Sequence, residues 1–392
     1  MRDEWVYKSG VGSSSCSCGL KKDGVPDLAL IHFSKPAVWT ACFTKNRCAG
    51  APVIHAKSLL KRNGRASFLL INSGNANAAT GRKGLDDIDF LTKNIGNLSG
   101  VDPNEIIVSS TGVIGEPLPK ELIADAIPEL LQNCSDFDES VARAIMTTDT
   151  KSKISRMSFE SCGRNFHIWA MAKGAGMIHP HLATMLVFII TDFPLRQSGM
   201  HGLLKEVMDY SFNKISVDGV MSTNDSVFLF SIGESRSEIS DFDFKNALLR
   251  VAKELSQQIL EDGEGVHKVV NIFVKNALSV DDAKAAAGRI ANSELVKTAI
   301  YGEDPNWGRI YAAAGASGAQ FDPLSVSIFF DDKPACENGV KSKRYDETAI
   351  SKIMKNDHFS ITIDLGAGTA SYNMFTTDLS YEYIKINASY RS

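Results

Sequence analysis

Between Lys173 and Asp192 the chain reads K-G-A-G-M-I-H-P-H-L-A-T-M-L-V-F-I-I-T-D. A glycine-rich turn and a proline lead into Met185–Ile190, an unbroken apolar run flanked by Thr184 and Thr191. Such a run, bounded by turn signals, reads as a strand buried on both faces. The fold therefore needs cover on two sides of at least one strand. On local physics alone, Thr184 is a β-branched residue opening that strand.

The rest of the pattern is α/β. Leu28–Phe33, Val38–Thr44 and Ser67–Asn72 are short apolar segments parted by Lys, Gly, Pro and Asn, and read as strands. Glu105–Ser109 is another, with Thr111 and Gly112 in a turn after it. Apolar spacing from Leu118 to Gln132 is helical, with Pro128 expected to kink or interrupt it. Asp136 is the expected cap of a helix through Val141, Ala144 and Ile145. Asn165–Met171 reads as a strand, Leu203–Met208 as helix. Ser240 or Asp241 can cap a long helix through Ile259, stopped by Asp262-Gly-Glu-Gly265. A further unit is expected from about 275 to 392, with an Ala-rich helix at Asp281–Ala291. Ile361–Leu365 followed by Gly366-Ala-Gly368 imitates a dinucleotide fingerprint. It is rejected, because Tyr372–Asp378 reads as strand and turn and too little chain follows for a βαβ unit.

Composition excludes several classes. A net charge of -4 over 392 residues, without a basic block, argues against nucleic acid or an anionic membrane as partner. No stretch reaches the roughly 18 apolar residues needed to span a bilayer. The opening Met1-Arg-Asp-Glu-Trp has neither signal-peptide nor transit-peptide character. Seven scattered cysteines form no zinc pattern and suit a reducing cytoplasm. The acidic spacing in Ser216–Asp225 is no EF-hand, so no metal site is expected.

Polar blocks punctuate these elements. N-S-G-N-A-N-A-A-T-G (Asn72–Gly81) has the composition of a tight turn. A Thr-Gly pair after a buried strand can aim a hydroxyl and a backbone N–H at one point, as an oxyanion hole requires, although turns use Thr and Gly freely. M-T-T-D-T (Met146–Thr150) could be only a cap region. Lys173 after a strand and Glu264 between two glycines would ordinarily be solvated.

These blocks, in this order, resemble the ornithine acetyltransferase family, also called glutamate N-acetyltransferase. Its patterns K-G-[SA]-G-M-I-x-P-x-[ML]-A-T-M-L, N-S-G-N-A-N-A-x-T-G, A-I-M-T-T-D-T, S-V-D-G-D-M-S-T-N-D, D-G-E-G, G-x-D-P-N-W-G-R and I-N-A-x-Y-R-[ST] recur along almost the whole chain. Val220 departs from the usual second Asp of one block. The resemblance implies an α/β fold of layered sheets and helices like that of N-terminal-nucleophile hydrolases, with a smaller α/β C-terminal domain. It implies self-cleavage between Ala183 and Thr184, giving an α segment 1–183 and a β segment 184–392. Thr184 is then the nucleophile, Thr111 and Gly112 stabilise the oxyanion, and Thr150, Lys173, Thr184, Glu264, Asn387 and Ser392 bind substrate. The implied reaction moves acetyl from N-acetylornithine to glutamate without a cofactor, in the cytoplasm, within a heterotetramer of two α and two β segments. Acetyl-CoA is a possible second donor. A freed Thr184 α-amine, with a pKa of about 7.7–8.0, is a built-in base for its own hydroxyl. The rival readings are an N-terminal-nucleophile amidase or aminopeptidase, and a non-catalytic binding protein.

Overall fold

In the computed structural model the described residues are 9–22, 24–62, 64–179, 185–234 and 241–389. The chain divides into two units, each built on its own sheet. The first comprises Met1–Gly174, His181–Asn213 and Met221–Ile259; the second comprises Ala175–Pro180, Lys214–Val220 and Leu260–Ser392.

The first unit runs β1 (Val11–Cys16), β2 (Leu28–Phe43), α1 (Ala51–Arg62), β3 (Arg65–Asn75), α2 (Gly81–Ser99), β4 (Ile106–Val113), α3 (Lys120–Gln132), β5 (Ser135–Asp136) and α4 (Ser140–Ala144). It continues β6 (Lys153–Ser161), β7 (Arg164–Lys173), β8 (Leu186–Thr191), α5 (Gln197–Asp209), β9 (Ser226–Ser231) and α6 (Asp241–Glu261). The strand order is β4-β3-β2-β9-β8-β7-β6, with β1 on β2 and β5 on β1. Both faces are buried, which explains the continuous apolar runs. Leu28, Leu30, Phe68, Leu70, Ile106 and Val108 pack with α2 and α3 residues in one core. Their alternates Ala29, Ile31, Leu69, Ile71 and Ile107 enter another, with Phe188, Phe228 and Phe230. All six residues of β8 are buried, as its pattern predicts. At roughly 1.5–3 kcal/mol per fully buried large apolar side chain, this strand is among the firmest of the sheet.

The second unit runs β10 (Val269–Ala277), α7 (Val280–Ala291), α8 (Glu294–Tyr301), α9 (Trp307–Gly315), β11 (Ser327–Phe330), β12 (Lys333–Glu337), β13 (Val340–Lys341), α10 (Glu347–Met354), β14 (His358–Asp364), β15 (Ala370–Thr377) and α11 (Tyr381–Ala388). Its order is β13-β12-β11-β14-β10-β15. Here burial alternates: Val270, Ile272 and Val274 enter the core while Asn271, Phe273 and Lys275 are only partly covered. One face of this sheet carries the core, as an amphipathic strand pattern implies.

Several sequence expectations are corrected. Leu28–Phe33 and Val38–Thr44 are one strand, β2. It carries a register shift between His32 and Ala37, where Ser34–Pro36 are exposed and Pro36 lacks a ladder donor. Pro128 neither ends nor splits α3. Asp136 caps no helix; it pairs with Gly12 in β5, and the Asp138 carboxylate accepts the Ser140 amide instead. Thr111 and Gly112 lie within β4, which runs on to Val113, and not in a turn after it. Ser240 lies outside the described residues; Asp241 opens α6. The rejection of the dinucleotide fingerprint holds, since β14 leads to β15, which pairs antiparallel with β10, and no helix intervenes.

Candidate active site

In the first unit, β3 and β4 run parallel and end together, with Ser73 opposite Thr111 and Gly74 opposite Gly112 before the register breaks at Asn75. Gly112 has φ +136°, which side-chain-bearing residues rarely adopt, and a Cβ there would collide with the Gly74 backbone. Thr111 is buried. The Asn224 side chain donates to the Ala76 carbonyl (2.5 Å) and the Ser110 carbonyl (2.8 Å), fixing the peptide that precedes Thr111. The Asn72–Gly81 block is knitted by its own side chains. The Asn75 carboxamide accepts the Asn77 amide (2.8 Å) and donates to Glu116 and Pro117 carbonyls, and Asn77 takes φ +46°. A Thr–Gly pair held this rigidly can supply preorganised donors to a developing oxyanion.

Lys173, at the end of β7, is buried rather than solvated. Its ammonium donates to the Thr147 hydroxyl (2.7 Å) and stands 3.6 Å from Asp149. Asp149 also accepts from the Lys153 ammonium (2.7 Å), the Gly174 amide (2.7 Å) and the Thr147 amide (2.9 Å). Burial alone would raise its pKa, but the ammonium groups of Lys173 and Lys153 hold it well below the usual carboxylate range. Lys21 joins this edge, donating to the Pro26 and Ala144 carbonyls. Its pKa is lowered, by burial first and by Lys173 against the pull of Asp27. Two buried lysines around one buried carboxylate leave net positive charge, which suits an anionic group of a substrate. Thr150, next in the chain to Asp149, is exposed. Asp149 and Lys153 carry no sequence signal of their own beyond the M-T-T-D-T block.

In the second unit, Glu264 and Asn387 meet: the Asn387 side chain donates to the Glu264 carboxylate at 2.8 Å and to the Tyr383 carbonyl at 3.0 Å. Asn387 lies on helix α11, capped by Ser380. The Glu264 amide donates to the Ala175 carbonyl (3.0 Å), and the Glu264 carboxylate lies over Gly176, where a Cβ would push it aside. Asp218 binds the strap that carries Gly176. It accepts the Met177 amide (2.6 Å) and the Tyr383 hydroxyl (3.1 Å), and burial with this carboxylate raises the Tyr383 pKa. Tyr383 and Asp218 were not singled out from sequence; only their facing arrangement marks them. The result is a carboxylate with one amide donor and free acceptor capacity, suited to a substrate amine.

Ala183, Thr184 and Ser392 lie outside the described residues. Met185, next after Thr184, is buried at the entry to β8. No described helix is long and apolar enough to cross a membrane.

A profile of the ArgJ family matches residues 13–392. The chain belongs to the ArgJ family. It is 41% identical over 395 residues to the arginine biosynthesis bifunctional protein ArgJ of Syntrophotalea carbinolica, spanning 99% of this chain and 100% of that one. The same-named protein of Geobacter sulfurreducens is 40% identical over 390 residues, spanning 98% and 99%. A crystal structure of arginine biosynthesis bifunctional protein argJ from Bacillus halodurans is 32% identical, covers 51% of this chain and 97% of that chain, and has a TM-score of 0.48. Family membership makes this chain an acetyltransferase of arginine biosynthesis.

Proposed function

We propose that the chain cuts itself between Ala183 and Thr184 and then transfers acetyl from N-acetylornithine to glutamate through an acetyl-Thr184 ester. The observation that carries this reading is family relatedness running from residue 13 to residue 392, so that the A-T-M-L segment lies inside it. Thr184 Oγ attacks the Ala183 carbonyl and the carbon–nitrogen bond breaks, which frees the Thr184 α-amine and leaves an ester; water then hydrolyses that ester, releasing the Ala183 carboxylate and the Thr184 hydroxyl. That amine, neutral near its pKa of about 7.7–8.0, takes the Oγ proton when the acetyl donor arrives. Thr111 and Gly112 stabilise the oxyanion of each tetrahedral intermediate. The positive cluster at Lys173, with Thr150, suits a substrate carboxylate, and Glu264, oriented by Asn387, suits a substrate amine. Ser392 completes the set of substrate contacts.

The products are ornithine and N-acetylglutamate, and no cofactor takes part. The word bifunctional in the relatives' names supports acetyl-CoA as a second donor. The mature enzyme is then an α segment 1–183 and a β segment 184–392, with a C-terminal domain from about 275. Two of each assemble in the cytoplasm. Ping-pong transfer predicts parallel double-reciprocal plots when N-acetylornithine and glutamate are varied. Intersecting lines would rule out the free acetyl-enzyme.

A further inference from the structure

One ammonium beside the Lys173 cluster has no part in the scheme above. Lys21 is half-buried in the loop that follows β1. Its backbone amide donates to the Asp27 carboxylate at 2.9 Å, and the Cys18 amide donates to the same group at 2.7 Å, so the loop is pinned at two points. The pinning sets Leu20 against the end of β3. A Cβ on Gly74, which has φ +98°, would meet the Leu20 carbonyl at 2.8 Å. Gly74 is the ladder partner of Gly112. The loop therefore lies against the strand pair that carries the Thr111–Gly112 donors.

From there the Lys21 ammonium donates to the Pro26 carbonyl (3.1 Å) and the Ala144 carbonyl (3.4 Å). The Ala144 carbonyl also accepts the Ser73 hydroxyl at 2.5 Å, and Ser73 is the ladder partner of Thr111. Both acceptors of the ammonium are neutral, so neither cancels its charge. Lys173 and Asp149 both act on that charge, which sets it between the oxyanion strands and the Lys173 cluster. The nearby carboxylates are already spent: Asp27 on two amides, Asp149 on Lys153 and two amides. An ammonium has three N–H donors, and two carbonyls leave one for a ligand. N-acetylornithine and glutamate share one anion, the α-carboxylate, on the same carbon as the reacting nitrogen. A group that pairs with it has to stand close to the oxyanion donors, as Lys21 does.

We propose that Lys21 is a specificity-determining residue of the transfer, its ammonium pairing with the α-carboxylate that donor and acceptor share. The inference rests on the substrates proposed above. Charge-assisted pairing of this kind is the strong class of hydrogen bond.

The test compares N-acetylornithine with its α-carboxamide, at fixed glutamate, for the wild type, Lys21→Met and Lys21→Arg, each first shown by denaturing mass spectrometry to be cut at 183/184. Lys21→Met should lower kcat/KM for the acid roughly tenfold to a hundredfold, mostly through KM, the scale of one hydrogen bond to a charged group. The amide should be nearly unaffected, so that the preference for the acid falls by the same factor. Lys21→Arg should keep most of that preference. A loss shared equally by acid and amide would overturn the proposal and leave Lys21 a structural cap on the Ala144 carbonyl. A wild type that moves no acetyl from N-acetylornithine to glutamate would instead sink the proposed substrates, and this inference with them. Should Lys21→Met not fold or not be cut, reductive methylation of the wild type, mapped by peptide mass, decides. N-acetylornithine should shield Lys21 and its α-carboxamide should not; equal labelling with both overturns the proposal.

Discussion

Asp149 and Asp225 are both buried aspartates of the first unit, and their surroundings drive them to opposite states. Asp149 accepts from an ammonium and two backbone amides, with Lys173 a further step away, and stays ionised. Asp225 has no hydrogen bond on either oxygen, the neighbouring Thr44 hydroxyl donating to the Ser222 carbonyl instead, and burial pushes its pKa well above the usual carboxylate range. Burial pushes both the same way; the difference is donors and cations. One carboxyl is therefore a fixed charge that organises lysines, and the other is driven toward its neutral form by burial.

The largest effect should come from Asp149→Ala. It removes the charged partner of the Lys153 ammonium, whose side chain is 1% exposed, and deprives the Thr147 and Gly174 amides of their acceptor. Breaking a buried pair from one side costs about 3–5 kcal/mol, to be read from urea unfolding. A loss under about 1 kcal/mol would mean that the lysines do not depend on it. The Asp149 contribution is present above its unfolded pKa and lost as pH falls through the depressed folded value, so the gap to wild type should narrow in acid. Asp225→Asn should act more gently and in the opposite sense. Because the folded chain keeps a proton that the unfolded chain releases, wild-type stability drops as pH rises from about 4 toward the raised folded value. The variant's melting temperature should gain on the wild type across that window. A gap that shrinks with rising pH would show that Asp225 is ionised in the fold.

This contrast was closed to sequence reading, although much else was open. The strand at Leu186–Thr191 is legible because burial on both faces leaves no polar alternation. The alternation along Val269–Val274 reports one covered face in the same way. Ser34–Pro36 misled because a proline between apolar runs looks like a turn, whereas a long strand absorbed it as a register shift. Helix α11 was missed for want of a strong apolar stripe; Ser380, which caps it through the Tyr383 amide, was its one local sign. The family patterns flagged Lys173, Glu264 and Asn387 as a set, but not what holds them. Asp149 is four residues from Lys153 yet meets Gly174 only through the fold, and Asp225 acquires its state from Thr44 and Met185, which only the sheet brings near. Protonation states are properties of such meetings, not of spacing.

The central claim is that Thr184 is freed by self-cleavage and then carries the acetyl group. The most direct measurement is the denatured mass of the purified protein before and after mixing with N-acetylornithine. The account predicts two polypeptides meeting between Ala183 and Thr184, with one acetyl group gained on the segment that begins at Thr184. A single intact chain of 392 residues, or acetyl carried on any other residue, would contradict it.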